Sequence, residues 1–136
     1  MTANHSENPE QNAVFDRDCF AHHLGIELLE AGEGTASARM VLGEQHLNGM
    51  GTVHGGAIFG LADLAFAVAC NSREALAVAL NVNISYVKAV RGGVLYARAT
   101  ETSLSARIGT YEVVVTDEQG ETVALFYGMA YRKQAR

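Results

Sequence analysis

The sequence predicts an α+β domain in which an antiparallel sheet wraps around one long apolar helix. Residues 55–70, Gly-Gly-Ala-Ile-Phe-Gly-Leu-Ala-Asp-Leu-Ala-Phe-Ala-Val-Ala-Cys, hold Asp63 as their one ionisable group before the closing thiol. A helix that is apolar on every side has to be buried. The chain after it reads as four strands, and two more precede it. A single sheet laid on a single helix buries the apolar face of each, which is the economical arrangement for that element order.

The elements follow in order. Residues 1–10 are polar, contain Pro9, the only proline, and read as a tail; residues 11–136 form one domain. Between Asn12 and Leu24, Val14, Phe15, Cys19 and Phe20 recur at roughly helical spacing, so one short amphipathic helix is expected, closed by Gly25. Ile26–Ala31 and Thr35–Leu42 flank Gly-Glu-Gly and read as a hairpin. Residues 43–53 make a glycine-rich loop, and the apolar helix should stop near Asn71 or Ser72. Val78–Val87, Val94–Ser103, Gly109–Asp117 and Thr122–Tyr131 are the later strands. Leu95, Ala97 and Ala99 alternate with Tyr96, Arg98 and Thr100, as a half-buried strand requires. Asp117-Glu-Gln-Gly120 reads as a hairpin turn with Gly120 at the position that favours positive φ.

Composition removes several classes of function. The 136 residues are 49% hydrophobic and 18% charged, which fits one folded domain and excludes a disordered chain. That apolar fraction, concentrated in one run, suggests that a subunit interface completes the core. A net charge of -5 argues against a nucleic-acid partner. Cys19 and Cys70 are too few for a disulfide framework, and Cys70 reads as a packed thiol. The polar N-terminus lacks the layout of a secretion signal, and the run at 55–70 is too short to span a membrane. A cytoplasmic protein without membrane attachment is expected. His22, His23, His46 and His54 have no metal-ligand spacing, so no metal is expected.

Chemistry is expected at the apolar helix. A carboxylate in such a helix loses hydration, and groups of this kind are enriched where reactions occur. At the helix start, His54-Gly55-Gly56 can present unpaired backbone N–H groups, aided by the helix dipole, to a carbonyl oxygen. A glycine pair can also serve only close packing, and a buried aspartate can be merely structural. Asp63 follows Gly55 by eight residues, which is about 12 Å along a helix. One carbonyl cannot touch both in one chain. Two such helices packed antiparallel about a twofold axis would bring Gly55 of one copy near Asp63 of another, giving two equivalent sites.

The constellation Asn48, His54-Gly55-Gly56 and Asp63, within the continuous text from His46 to Asn71, resembles the hotdog-fold acyl-CoA thioesterases of the phenylacetic acid degradation branch. The resemblance covers about Phe20 to Lys133, including Thr122-Val-Ala-Leu-Phe-Tyr-Gly128. It implies a hotdog fold, an obligate dimer or dimer of dimers, and no cofactor, CoA being part of the substrate. It implies that Asp63 attacks the thioester or activates water, that the Gly55 amide polarises the thioester carbonyl, and that Asn48 positions water or carbonyl. His54 would shape the loop. The implied reaction is hydrolysis of phenylacetyl-CoA, a ring-hydroxylated analogue, or a related aryl or medium-chain acyl-CoA. Where many relatives carry aromatic-x-Arg-Pro, this chain reads Tyr86-Val-Lys-Ala89.

Around that chemistry, Gly56, Leu47, Phe59 and Phe66 are candidates to contact the acyl group, with core packing as the alternative for the last three. Lys88, Arg91, Arg107 and Arg132 are candidates to hold the CoA phosphates, with solvated surface charge as the alternative. Two rival functions fit the same residues. One is a hotdog hydroxyacyl-CoA dehydratase using His54 and Asp63; the other is a non-catalytic acyl-CoA-binding module, to which a buried charge is useless.

Overall fold

The computed structural model describes residues 8–135. Six strands form one antiparallel sheet: β1 (Ile26–Gly32), β2 (Thr35–Val41), β3 (Ala75–Tyr86), β4 (Val94–Leu104), β5 (Ile108–Thr116) and β6 (Thr122–Ala135). Their spatial order is β1-β2-β4-β5-β6-β3, so the strand that follows the long helix lies at the far edge. Two short helices, α1 (Pro9–Asp16) and α2 (Cys19–Leu24), precede the sheet, and α3 (Gly55–Cys70) is the central helix.

The sheet can curl around α3 because its inner face is built from small residues beneath the helix. Ala36 and Ala38 on β2 face Ala97 and Ala99 on β4, each 1% exposed or less, and let the backbones approach. Large side chains of α3 fill the rest. Phe66 lies over Gly128, where an added Cβ would come within 2.6 Å of its ring. It also meets Tyr111 edge-on and Phe126 at a tilt, both at 5.6 Å between ring centres. Truncating such a buried ring costs about 3–5 kcal/mol.

The N-terminal expectation needs two corrections. Residues 1–7 of the expected tail lie outside the described residues, but Pro9 and Glu10 open α1, with the Asn8 side chain accepting from the Glu10 and Gln11 N–H groups. The expected single helix over 12–24 is two helices. Asp18 breaks it by taking an extended conformation and accepting from the Ala21 N–H at 2.9 Å, which starts a new helix. The periodicity therefore misplaced Cys19 and Phe20, which are exposed, whereas Phe15, Ala21 and Leu24 are buried. Gly25 does close the second helix, at φ 78°, and Gly120 sits in the β5–β6 turn at φ 80°. Cys70 is a buried free thiol.

Candidate active site

Residues 43–54 carry the chain from β2 to the start of α3, and their path is fixed by His46. This side chain is 1% exposed. Its Nδ1 accepts from the Gly43 N–H at 3.0 Å and its Nε2 donates to the Leu24 carbonyl at 2.7 Å, tying the loop to the end of α2. The His46 carbonyl in turn accepts from the His54 N–H at 2.7 Å. Within the loop, Asn48 is an organiser. Its Oδ1 accepts from the Met50 and Thr52 N–H groups, and its Nδ2 donates to Thr52 Oγ1 at 2.9 Å. One Nδ2 hydrogen remains for other use. Leu47 bridges to Val53 and is half-buried.

At the end of this loop His54 caps α3 in an extended conformation, and its Nδ1 accepts from the Gly56 N–H at 2.8 Å. The Ala57 and Ile58 N–H groups bond to the His54 carbonyl. Among the described residues nothing accepts from the Gly55 N–H, the first amide of α3. Tyr86, at the end of β3, donates its hydroxyl to the Gly55 carbonyl at 2.9 Å. Its ring also explains the glycine, because an added Cβ at Gly55 would stand 3.1 Å from Tyr86 Cζ. The close-packing reading thus holds at Gly55, whose N–H has no partner among the described residues. Thr52, Gly55, Ile58, Tyr86 and Lys88 border a cleft of about 400 Å³.

Asp63 lies two turns further along α3. It is half-buried, on the helix face that also carries Gly60 and Ala67 and away from the sheet. No described residue donates a hydrogen bond or ion pair to it. Burial, and secondarily the charge of Asp18, holds its carboxyl above the ordinary aspartate value. Within one chain the structure does not bring Gly55 and Asp63 together, as the helical spacing required.

Two groups of expected contacts are corrected. Phe66 is 2% exposed and packs into the sheet as a core residue, and Phe59 leans inward on Phe126 at 5.4 Å. Lys88 is near the cleft but engaged: its ammonium binds Asp117 Oδ2 at 2.6 Å and also the Glu121 carboxylate. That pairing raises Lys88 and, together with backbone N–H groups of the turn, lowers Asp117. Arg107 belongs to the opposite end of the sheet. Ile108 pairs with Tyr131 and Tyr131 with Val78, whereas Tyr86, beside Gly55, pairs with Ala124. Arg132 is at that same far end, bonded to the Ser105 carbonyl at 2.6 Å. Arg91 remains close, its Nη1 3.4 Å from the Gly51 carbonyl. Tyr86, Asp117 and Glu121 were missed because their roles depend on contacts across the sheet. Among the described residues no cluster of metal-ligating side chains occurs, and no helix is long and apolar enough to cross a membrane.

Comparison with known proteins agrees with this geometry. Residues 50–124 match the Thioesterase superfamily, a stretch that holds all of α3 with Asp63, strands β3 to β5 and the first residues of β6. The chain is 38% identical over 122 residues to the acyl-coenzyme A thioesterase PaaI of Escherichia coli, covering 89% of this chain and 87% of that one. The structure of E. coli PaaI, from the phenylacetic acid degradation operon, superimposes with a TM-score of 0.89 at 36% identity, over 93% of each chain. A mutant form of the phenylacetic acid degradation protein PaaI from Thermus thermophilus gives a TM-score of 0.82 at 41% identity, over 85% of this chain and 100% of that one. The six-stranded sheet around a central helix is the hotdog fold, and the chain belongs to the thioesterase superfamily as a thioester hydrolase.

Proposed function

We propose that the protein is an acyl-CoA thioesterase that hydrolyses phenylacetyl-CoA or a ring-hydroxylated analogue, at sites shared between two copies of the chain. The observation that carries this reading is Asp63, a half-buried carboxylate with no donor among the described residues, on the same helix as the unpartnered Gly55 N–H but two turns away. A thioester carbonyl polarised by that amide needs a carboxylate from elsewhere. A second α3, antiparallel across a twofold axis, supplies it. The edge strand β3 supports such a partner. It is twelve residues long, and Leu76, Val78 and Leu80 are exposed on it. Soluble proteins seldom leave so long an apolar edge unpaired.

In this mechanism the Gly55 N–H takes up charge developing on the thioester oxygen, a contribution worth roughly 2.7–4 kcal/mol per donor in related chemistry. Asp63 either removes a proton from water as it adds to the carbonyl carbon, or adds itself to give an anhydride that water then opens. Both routes release CoA as the thiol. Burial keeps Asp63 basic, which suits either. Arg91 is the nearby cation left to meet CoA phosphates. Asn48, with one Nδ2 hydrogen uncommitted, is the proposed positioner of water or carbonyl. The dehydratase reading is disfavoured because His54 Nδ1 is engaged by the Gly56 N–H and because the relative of 38% identity is an acyl-coenzyme A thioesterase. The substrate class rests on the PaaI relatives and is the finer part of the proposal.

A thiol-release assay with phenylacetyl-CoA tests it. Asp63→Asn is expected to lower kcat by roughly 10²–10⁴-fold while raising Tm at neutral pH. The sign follows from the raised carboxyl: its ionised form is disfavoured in the folded chain, and the amide has no charge to bury. The gain in Tm should fade as the pH falls toward the ordinary aspartate value of 3.8, where the native carboxyl is protonated too. Full turnover by the variant would refute the role of Asp63.

A further inference from the structure

We infer that Phe20 is the specificity-determining residue of the acyl site: its ring forms the wall against which an aryl acyl group lies beside Asp63. The inference rests on the Asp63 reading above. On α3 the buried residues Ile58, Leu61, Ala62, Leu64, Ala65 and Phe66 all turn toward the sheet or the short helices. An acyl group reacting at Asp63 therefore has to lie along the other face, which carries Gly56, Gly60 and Ala67. Those residues are small. Of the two aromatic residues of α3, Phe66 is buried, and the half-buried Phe59, four residues before Asp63, has its ring against Phe126, so α3 has no fully exposed ring there.

Helix α2 supplies what α3 lacks. Gly60 forms a notch into which α2 settles: an added Cβ would stand 2.7 Å from Leu24 Cδ1 and 3.4 Å from Phe20 Cε2. Gly60 precedes Asp63 by three residues, so the two share one helix face. The Phe20 ring consequently rests on the face of the carboxylate, one turn from it. Asp18, two residues earlier, is close enough to raise Asp63 through its charge. Leu24 anchors α2 in the core at 8% exposure, whereas Phe20 is 61% exposed. The open face of this ring, set beside Gly60, is available to an aryl group, and an aromatic ring gains more from another ring than its area alone gives. Gly60 is thus the residue that lets the wall approach.

Steady-state assays on phenylacetyl-CoA, octanoyl-CoA and acetyl-CoA test this with wild type, Phe20→Ala, Phe20→Leu and Asp63→Asn. Phe20→Ala should lower the ratio of kcat/KM for phenylacetyl-CoA over acetyl-CoA about tenfold, chiefly through KM. Phe20→Leu should keep octanoyl-CoA turnover while losing most of the aryl preference. A uniform fall for all three substrates, an unchanged ratio, or a change in oligomer size that accounts for the loss would overturn the role of Phe20. If the ratio is unchanged while Asp63→Asn is inactive, only the Phe20 assignment fails. If Asp63→Asn is fully active, the site itself is misplaced and the Phe20 wall falls with it.

Discussion

The two ends of α3 are built on opposite plans. At its C-terminal end most polar groups are matched, the buried Arg73 Nε being an exception. Asn71 donates to the Ala67 and Ala77 carbonyls and accepts from the Ala77 N–H. Ser72 Oγ accepts from the Gly34 N–H, and Gln11, 1% exposed, donates to the Val68 and Gly32 carbonyls. Beyond it, Glu101 accepts from Tyr111 at 2.7 Å and pairs with Arg73 at 2.8 Å. At the N-terminal end the loop below is as well tied, by His46 and Asn48, yet the first amide of the helix points to no partner. Near-saturation at one end gives stability. The unpaired amide at the other, above a loop tied down by His46 and Asn48, is what the proposed oxyanion site requires.

Substitutions can break this contrast from either side. The largest effect should come from Gly55→Pro. Proline removes the N–H and is well tolerated at the first helical position, and His54, at ψ 134°, already has the extended conformation that precedes a proline. Turnover in a thiol-release assay should fall about 10²–10³-fold, with the loss of Tm no larger than in Gly55→Ala, whose Cβ presses on Tyr86 equally. Gly55→Ala imposes the same Cβ beside Tyr86 but keeps the donor, so it should retain most of the activity that proline abolishes. At the other end Asn71→Ala should do the reverse. It strips several buried hydrogen bonds, costing about 2–3 kcal/mol in denaturant unfolding, while activity per folded molecule stays within about twofold.

The smallest effect expected is electrostatic. Removing the Asp18 charge, with the cap kept, in Asp18→Asn takes away the secondary cause of the raised Asp63 carboxyl. Asp63 then loses its proton more readily. The acidic limb of the kcat/KM profile should move to lower pH, by under about one unit, and its movement to higher pH would contradict the assigned coupling.

Much of this was legible in the sequence, for definable reasons. The apolar run at 55–70 could be only a buried helix, and a carboxylate eight residues from a glycine pair forces a separation that no side chain spans. The alternation around Leu95, Ala97 and Ala99 gave β4 its two faces. Most of what failed depends on a partner distant in sequence. Phe66 and Lys88 have plausible types for ligand contacts, but Gly128 in one case and Asp117 with Glu121 in the other capture them. Phe20 looked like part of a buried stripe because the helix break at Asp18 is made by one side-chain hydrogen bond, which periodicity cannot register.

The proposal that Gly55 and Asp63 act together from different copies of the chain is tested most directly by subunit mixing. Gly55→Pro and Asp63→Asn chains, each inactive alone, are refolded together and assayed for thiol release. A shared site leaves each mixed dimer one intact pair, so activity should return to about a quarter of wild type in an equal mixture. If the mixture stays as inactive as its components although mixed dimers form, each site lies within one chain and the shared-site account is wrong.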